Sequence, residues 1–161
     1  MKSSQLQIRV SAKEKAELKQ IARRAGQSVS DWVRSQLLSS ANGHFLALTT
    51  ALKVTDKVSL VLADLADFLT SLRGAELRSA LSEPLPQGLS AEVANQVAAM
   101  VEWAASRQGV AAPEWTAGIA PLKEPWFAST LMNLRLHLLT HAPPPFRRRN
   151  IFVDASLGDR V

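Results

Sequence analysis

His137 and His141 stand four residues apart, a spacing that sets two imidazoles on one helix face within reach of a single metal ion. The rest of such a centre is missing. His137 is flanked by Leu136 and Leu138 rather than by a glutamate, and the chain has no cysteine to complete a tetrahedral ligand set. His141 has a plainer use beside a helix C-terminus, whose partial negative charge favours an imidazole. Asp64 and Asp67 share a helical stretch with no accompanying base and read as solvated polar residues. A phosphate-binding glycine loop, a dinucleotide fingerprint and a serine elbow are all absent, and glycine is scarce at 7 of 161 residues. These observations imply no catalytic residue, no metal site and no cofactor, so an enzyme is not expected. The lack of cysteine also excludes disulfides and thiol chemistry.

Charge points elsewhere. Residues 1 to 40 hold eight Lys/Arg (Lys2, Arg9, Lys13, Lys15, Lys19, Arg23, Arg24, Arg34) against three acids, Glu14, Glu17 and Asp31. The other 121 residues carry eleven of each sign, so the whole formal excess of +5 lies in the N-terminal quarter. A compact basic module of this kind is the footprint of a phosphate-binding surface, because neutralising phosphates releases counterions. The alternative is a solvated cationic helix face.

The elements that would position these cations follow from periodicity. From Gln5 to Val10 the residues alternate, with Gln5, Gln7 and Arg9 on one side and Leu6, Ile8 and Val10 on the other, which is the period of a half-buried strand. A helix follows at once: Ser11 and Glu14 have the spacing of a capping box, Leu18, Ile21, Ala22 and Ala25 make an apolar stripe, and Gly26 is a stop. A second helix starts at Ser28 with Asp31 three residues on, and Val29, Trp32, Val33 and Leu37 form its stripe. One strand and two short helices have too small a core to stand alone. Two copies whose strands pair antiparallel would satisfy the strand backbone, bury Leu6, Ile8 and Val10 under four helices and leave Gln5, Gln7 and Arg9 outermost. A two-stranded ribbon of that size fits the major groove of B-DNA.

Residues 4 to 38 resemble the ribbon-helix-helix family of DNA-binding proteins, which includes bacterial repressors and many antitoxins. The resemblance rests on Gln5-Leu6-Gln7-Ile8-Arg9-Val10, on Ser11, and on Gly26-Gln27-Ser28-Val29-Ser30-Asp31-Trp32-Val33-Arg34. It implies that Gln5, Gln7 and Arg9 read base edges, for which Gln (adenine) and Arg (guanine) are suited. It also implies that backbone amides of Ser28, Val29 and Ser30 hold a phosphate at the start of the second helix, where unsatisfied N–H groups and the helix dipole attract anions.

Ser39-Ser40-Ala41-Asn42-Gly43 is small and polar and is expected to be a hinge, dividing a module at 1–40 from a helical region at 44–161. In that region Val58, Val61, Leu62, Leu65, Phe68, Leu69 and Leu72 trace one wide stripe, on a helix that begins as early as His44, with Leu48 and Leu52 on a related face. Pro84, Pro86 and Gly88 predict a loop over 81–88. Ser90 then caps a helix with Val93, Val97, Met100, Val101 and Ala104 inward, ended by Gly109. A last helix near Ala128–His141 presents Leu131, Leu134 and Leu138 and stops at Pro143-Pro144-Pro145. The fold class expected is therefore mainly α: a ribbon-helix-helix followed by a helical C-terminal domain.

Trp103, Trp115 and Trp126 fall in or beside Pro-rich loops, which marks either loops packed on a core or a partner groove. The tail from Phe146 through Arg147, Arg148 and Arg149 to Asp154 joins a basic triplet to a strand-like run. It would either fold back on its own domain or dock on a partner. Trp126, Phe146, Arg147, Arg148 and Arg149 are accordingly the expected partner-binding residues. Residues 99–155 loosely resemble the C-terminal region of uncharacterised bacterial regulator or antitoxin proteins, a resemblance that carries no functional residues.

Met-Lys-Ser-Ser-Gln at the start lacks the apolar core of a signal peptide, and Asp64 and Asp67 interrupt the most apolar stretch, so a soluble cytoplasmic protein with no membrane association is expected. The function expected is sequence-specific binding of double-stranded DNA by a homodimer or higher oligomer, as an antitoxin that represses its own operon and neutralises a toxin through its C-terminal region. The alternatives are a ligand- or metal-responsive repressor, a plasmid-maintenance accessory protein, and an interaction protein whose ribbon only dimerises.

Overall fold

The computed structural model describes residues 10–24, 26 and 28–154, with side chains described throughout except at 31 and 34–40. The chain is mainly helical and separates into two compact units, Met1–Leu38 and Ser39–Val161.

In the first unit, helix α1 spans Ala12–Arg24 and helix α2 starts at Val29 and runs to Ala51. The capping box forms as its spacing requires. The Ser11 amide and hydroxyl donate to Glu14 Oε2 at 2.8 and 2.7 Å, and the Glu14 amide donates back to Ser11 Oγ at 3.3 Å. Gly26, at φ 67°, occupies the left-handed conformation that ends α1, its amide bonded to Arg23 O at 3.1 Å. Ala22 is the one fully buried side chain among those described in this unit; Leu18 is half-buried and Ile21 is 42% exposed. Val29, Trp32 and Val33 are half-buried on α2. Of the expected strand only Val10 is described; it belongs to no element and is 43% exposed, and Gln5 to Arg9 lie outside the described residues.

The expected hinge at Ser39–Gly43 is helical, since α2 runs through it. Gly43 weakens a helix by about 1 kcal/mol relative to alanine. Burial of Phe45, Thr49 and Leu52, one and two turns further on, outweighs that cost, and the Thr49 hydroxyl is satisfied internally by Phe45 O at 2.9 Å. The helix expected to continue from His44 into the Val58 stripe is in fact two. A turn over 52–57 separates α2 from α3 (Val58–Ser71), with Val54 and Thr55 amides both on Ala51 O and Thr55 Oγ1 accepting from Lys57 N.

α3 turns Leu65 and Leu69 fully inward, with Val58, Val61, Leu62 and Phe68 packed beside them and Leu72 just beyond. A seven-residue helix α4 (Gly74–Ala80), which the sequence reading did not anticipate, adds Leu77 and Ala80 before the expected Pro-rich loop. Two turns are too short for a helical period to stand out. α5 (Ala91–Arg107) starts as its sequence dictates, with Ser90 Oγ accepting from Val93 N at 3.2 Å. It ends in a Schellman turn: Gly109 at φ 64°, its amide on Ser106 O, and the Val110 amide reaching Ala105 O at 3.0 Å.

α5 is buried on two sides. Val93, Val97 and Val101 join the larger apolar cluster with Phe45, Leu65, Leu69, Leu77 and Leu81, while Ala99 meets Phe146, Ile151 and Val153 in a smaller one. The small residues Ala98, Ala99 and Ala105 are what let neighbours approach that second side closely. Short helix α6 (Glu114–Ala117) brings Trp115 against Phe45, its indole N–H donating to Leu81 O at 2.9 Å. This is the packed-down loop, an indole with both its ring and its N–H used.

β1 (Trp126–Phe127) pairs in parallel with β2 (Ile151–Phe152), Trp126 opposite Ile151. Between them lie α7 (Met132–His141), which ends before Pro143 as expected, and α8 (Pro144–Arg148), which the same prolines open. The expected inward row on α7 is realised at Leu138 alone; Leu131 and Leu134 are exposed. No described helix is long and apolar enough to cross a membrane.

Candidate nucleic-acid interface

The described cations of the first unit face outward. Lys13, Lys15, Lys19, Arg23 and Arg24 are all exposed on α1, because its narrow apolar face uses only Leu18 and Ala22. Glu14 is the acid nearest the start of that row. Acceptance of the Ser11 backbone and side-chain hydrogens holds its carboxyl below the usual carboxylate range, so it is charged at neutral pH and serves the helix cap.

Ser28 precedes the first helical residue of α2, and its carbonyl accepts the Trp32 amide at 2.8 Å. The amides that follow it are therefore the first-turn donors that a helix leaves without intrahelical partners. Ser28 and Ser30 are exposed and Val29 is half-buried, so the two small polar residues face solvent at the helix start. The 23-residue helix behind them supplies the dipole that an anion would meet. Gln5, Gln7 and Arg9, the expected base-reading residues, lie outside the described residues.

The expected partner-binding residues separate into two groups. Phe146 is buried in the smaller apolar cluster, and Trp126 is half-buried against it. Arg149 is 5% exposed and pinned on every side: it forms an ion pair with Glu102 at 2.5 Å and donates to Thr116 O at 2.7 Å and to Asn95 Oδ1 and Ile119 O, both at 3.1 Å. Only its Nε lacks a partner. A single guanidinium thus joins α5, the α6 turn and the end of α8. Arg147 and Arg148 face solvent. The tail folds back on its own unit, with β2 on β1 and the Leu122, Trp126 and Ala128 amides bonded to Arg149, Asn150 and Phe152 carbonyls. Its inward residues are set by the helical spacing of Phe146 and Arg149, three apart, a signal present in the sequence once Pro143–Pro145 is read as a helix start.

His137 and His141 do share a face, with rings stacked at 4.0 Å between centroids. One nitrogen of each is turned to other work. His137 Nε2 contacts Asp154 Oδ2 at 2.6 Å, and His141 Nδ1 lies 2.9 Å from Thr140 Oγ1 and 3.0 Å from His137 O. Among the described residues no group of three or more His, Asp or Glu is placed to hold a metal ion.

Residues 1–41 fit the model of the NikA-like family, described as mobilization protein NikA, a ribbon-helix-helix-type family of plasmid DNA-binding proteins. The match covers about a quarter of the chain and coincides with the basic module. No curated protein and no solved structure matches.

Proposed function

We propose that this chain is a DNA-binding accessory protein of the plasmid-mobilization type, acting as a homodimer. The observation that carries the reading is coincidence: the NikA-like match over residues 1–41 falls on the quarter of the chain that holds the entire basic excess and the strand, capping-box and helix pattern. The first unit supports pairing of two chains, because it buries only Ala22 among its described side chains while Val10 and Ile21 are more than two-fifths exposed. A partner chain that adds a second strand and two more helices supplies the missing core.

In this reading residues 5–10 of two chains form an antiparallel ribbon in the major groove. Gln5, Gln7 and Arg9 contact bases, and the amides of Ser28, Val29 and Ser30 seat a phosphate. The α1 cations then add sequence-independent attraction to the backbone. An antitoxin shares the DNA-binding step and differs in what its second unit binds; the matched description favours a mobilization accessory over a toxin partner.

The test is a duplex selected from a random library by the full-length protein, measured by fluorescence anisotropy across a salt series. Affinity falls linearly on logarithmic axes as salt rises. Arg9→Ala removes about 1–3 kcal/mol of discrimination at one base pair and leaves the dimer intact by sedimentation. Val29→Pro deletes one amide at a helix position that accepts proline, and weakens selected and random duplexes alike. Absence of salt-dependent binding to duplex DNA overturns the proposal, and equal loss on selected and random duplexes for Arg9→Ala overturns the base-reading role.

A further inference from the structure

A guanidinium has five N–H hydrogens, and the fold engages all but one of those on Arg149. Nη1 donates to Asn95 Oδ1 and Ile119 O, and Nη2 donates to Glu102 Oε1 and Thr116 O. The remaining donor, on Nε, is buried and meets no acceptor, the one side-chain atom of that kind among the described residues. An unpaired buried donor on a charged group is costly, so what lies beside it bears on its use. In the planar fork Nε–H shares an edge with Nη2. That is the edge turned to Glu102.

Glu102 and Arg149 both line an open cleft of about 450 Å³, bounded by the last turns of α5, the residues on either side of α6 and the end of α8. That volume is in the range of small-molecule sites. Its lining divides by chemistry. Val110, Ile119, Pro121 and three alanines are apolar, while Ser106, Arg148 and the Glu102–Arg149 pair are polar. Glu102 and Arg149 cancel and no other acid lines the cleft, so two arginines against one glutamate leave a formal charge of 2 − 1 = +1. Arg148 carries that surplus: it is exposed and makes no ion pair with a described residue.

The geometry points to this cleft as a binding site for a small organic carboxylate with a short branched apolar body. Arg148 offers the carboxylate a charged fork, the Ser106 hydroxyl and the Arg149 Nε–H add donors in the same cleft, and the apolar lining takes the hydrocarbon. A monoanion matches the single surplus charge. A phosphate dianion exceeds that charge and must lie close to the Glu102 carboxylate, which disfavours it. An organic cation is opposed by Arg148, because Glu102 is already engaged by Arg149. The inference concerns the second unit alone and does not depend on the DNA-binding reading.

The experiment titrates isotope-labelled full-length protein with isovalerate, its neutral amide isovaleramide, and inorganic phosphate, followed by NMR of the backbone amides and the arginine Nε–H groups. The expected result is saturable shifts with isovalerate at Ser106, Val110, Ala117, Ile119 and the Arg149 Nε–H, with the amide and phosphate each weaker by about tenfold or more. Arg148→Gln lowers isovalerate affinity by about tenfold. Ala117→Phe, which fills the cleft from an exposed position, abolishes binding. Because both residues are exposed, the two variants keep the parent's circular dichroism and melting temperature. The comparison of the three ligands needs no variant. Absence of saturable isovalerate binding, or amide or phosphate binding as tight as isovalerate, overturns the proposal. Shifts confined to exposed arginines and indifferent to Ala117→Phe also overturn it, since they mark ion pairing at the surface rather than a site.

Discussion

The two units of this chain solve the problem of a small core in opposite ways. The first puts its charge outside and has almost nothing inside: five exposed cations on α1 and one fully buried alanine among the described side chains. The second is formally balanced in charge beyond residue 40 and builds two apolar clusters on either side of α5, joined by one buried guanidinium. The lesson is that a segment can be specified by what it must bind rather than by what it can bury. In the proposed dimer the first unit finds its interior in another chain; the second finds its interior in itself.

The sharpest way to break that comparison is Arg149→Ala. It leaves Glu102 and the Asn95, Thr116 and Ile119 acceptors without their shared donor, and removal of one partner from a buried ion pair costs about 3–5 kcal/mol. The loss appears as a lower denaturant midpoint for the second unit. If the units are energetically separate, base discrimination by the first unit survives under native conditions.

Ser11→Ala removes the hydroxyl half of the α1 capping box, leaving only the backbone amide of residue 11 to donate to Glu14, and lowers stability by about 0.5–2 kcal/mol. In a dimer this loss also shows as a weaker dimerisation constant in dilution experiments, which no lesion confined to the second unit should produce. Gly43→Ala acts in the other direction. The glycine is helical, its φ is ordinary and nothing lies within 4 Å of an added Cβ, so alanine stabilises α2 by about 0.5–1 kcal/mol, read as a higher melting temperature. The smallest effect is electrostatic. Glu14 has a carboxyl pKa lowered on folding, so its contribution to α1 is fully present above the unfolded value and fades as pH falls through the lower folded one. Glu14→Gln should flatten that acid limb of the stability profile and leave the neutral region nearly unchanged.

Much of the fold was legible because its signals are local. The Ser11–Glu14 box, the Gly26 stop, the Ser90 cap and the Gly109 turn each depend on hydrogen bonds between residues no more than five apart, and each formed as spacing required. The α3 and α5 stripes were equally plain, being long and periodic. What failed to show were decisions made by packing. Ser39–Gly43 looks like a linker by composition, yet burial of Phe45 and Leu52 carries the helix through it. The expected partner site in the tail was a run of three arginines that composition treats as equivalent, while the structure sinks Arg149 and leaves Arg147 and Arg148 in water.

Composition and order alone settled where the charge lies and where the long periodic helices run. Each of these is a sum or a period over neighbours in the chain, and needs no knowledge of what lies across the fold. Only the tertiary arrangement decided that Phe146 and Arg149 face inward, that His137 engages Asp154, and that α7 turns only Leu138 of its five large apolar side chains inward. Those outcomes turn on partners 17 to 54 residues away, such as Asp154 for His137 and Asn95 for Arg149, and the same side chain has a different free energy with and without them.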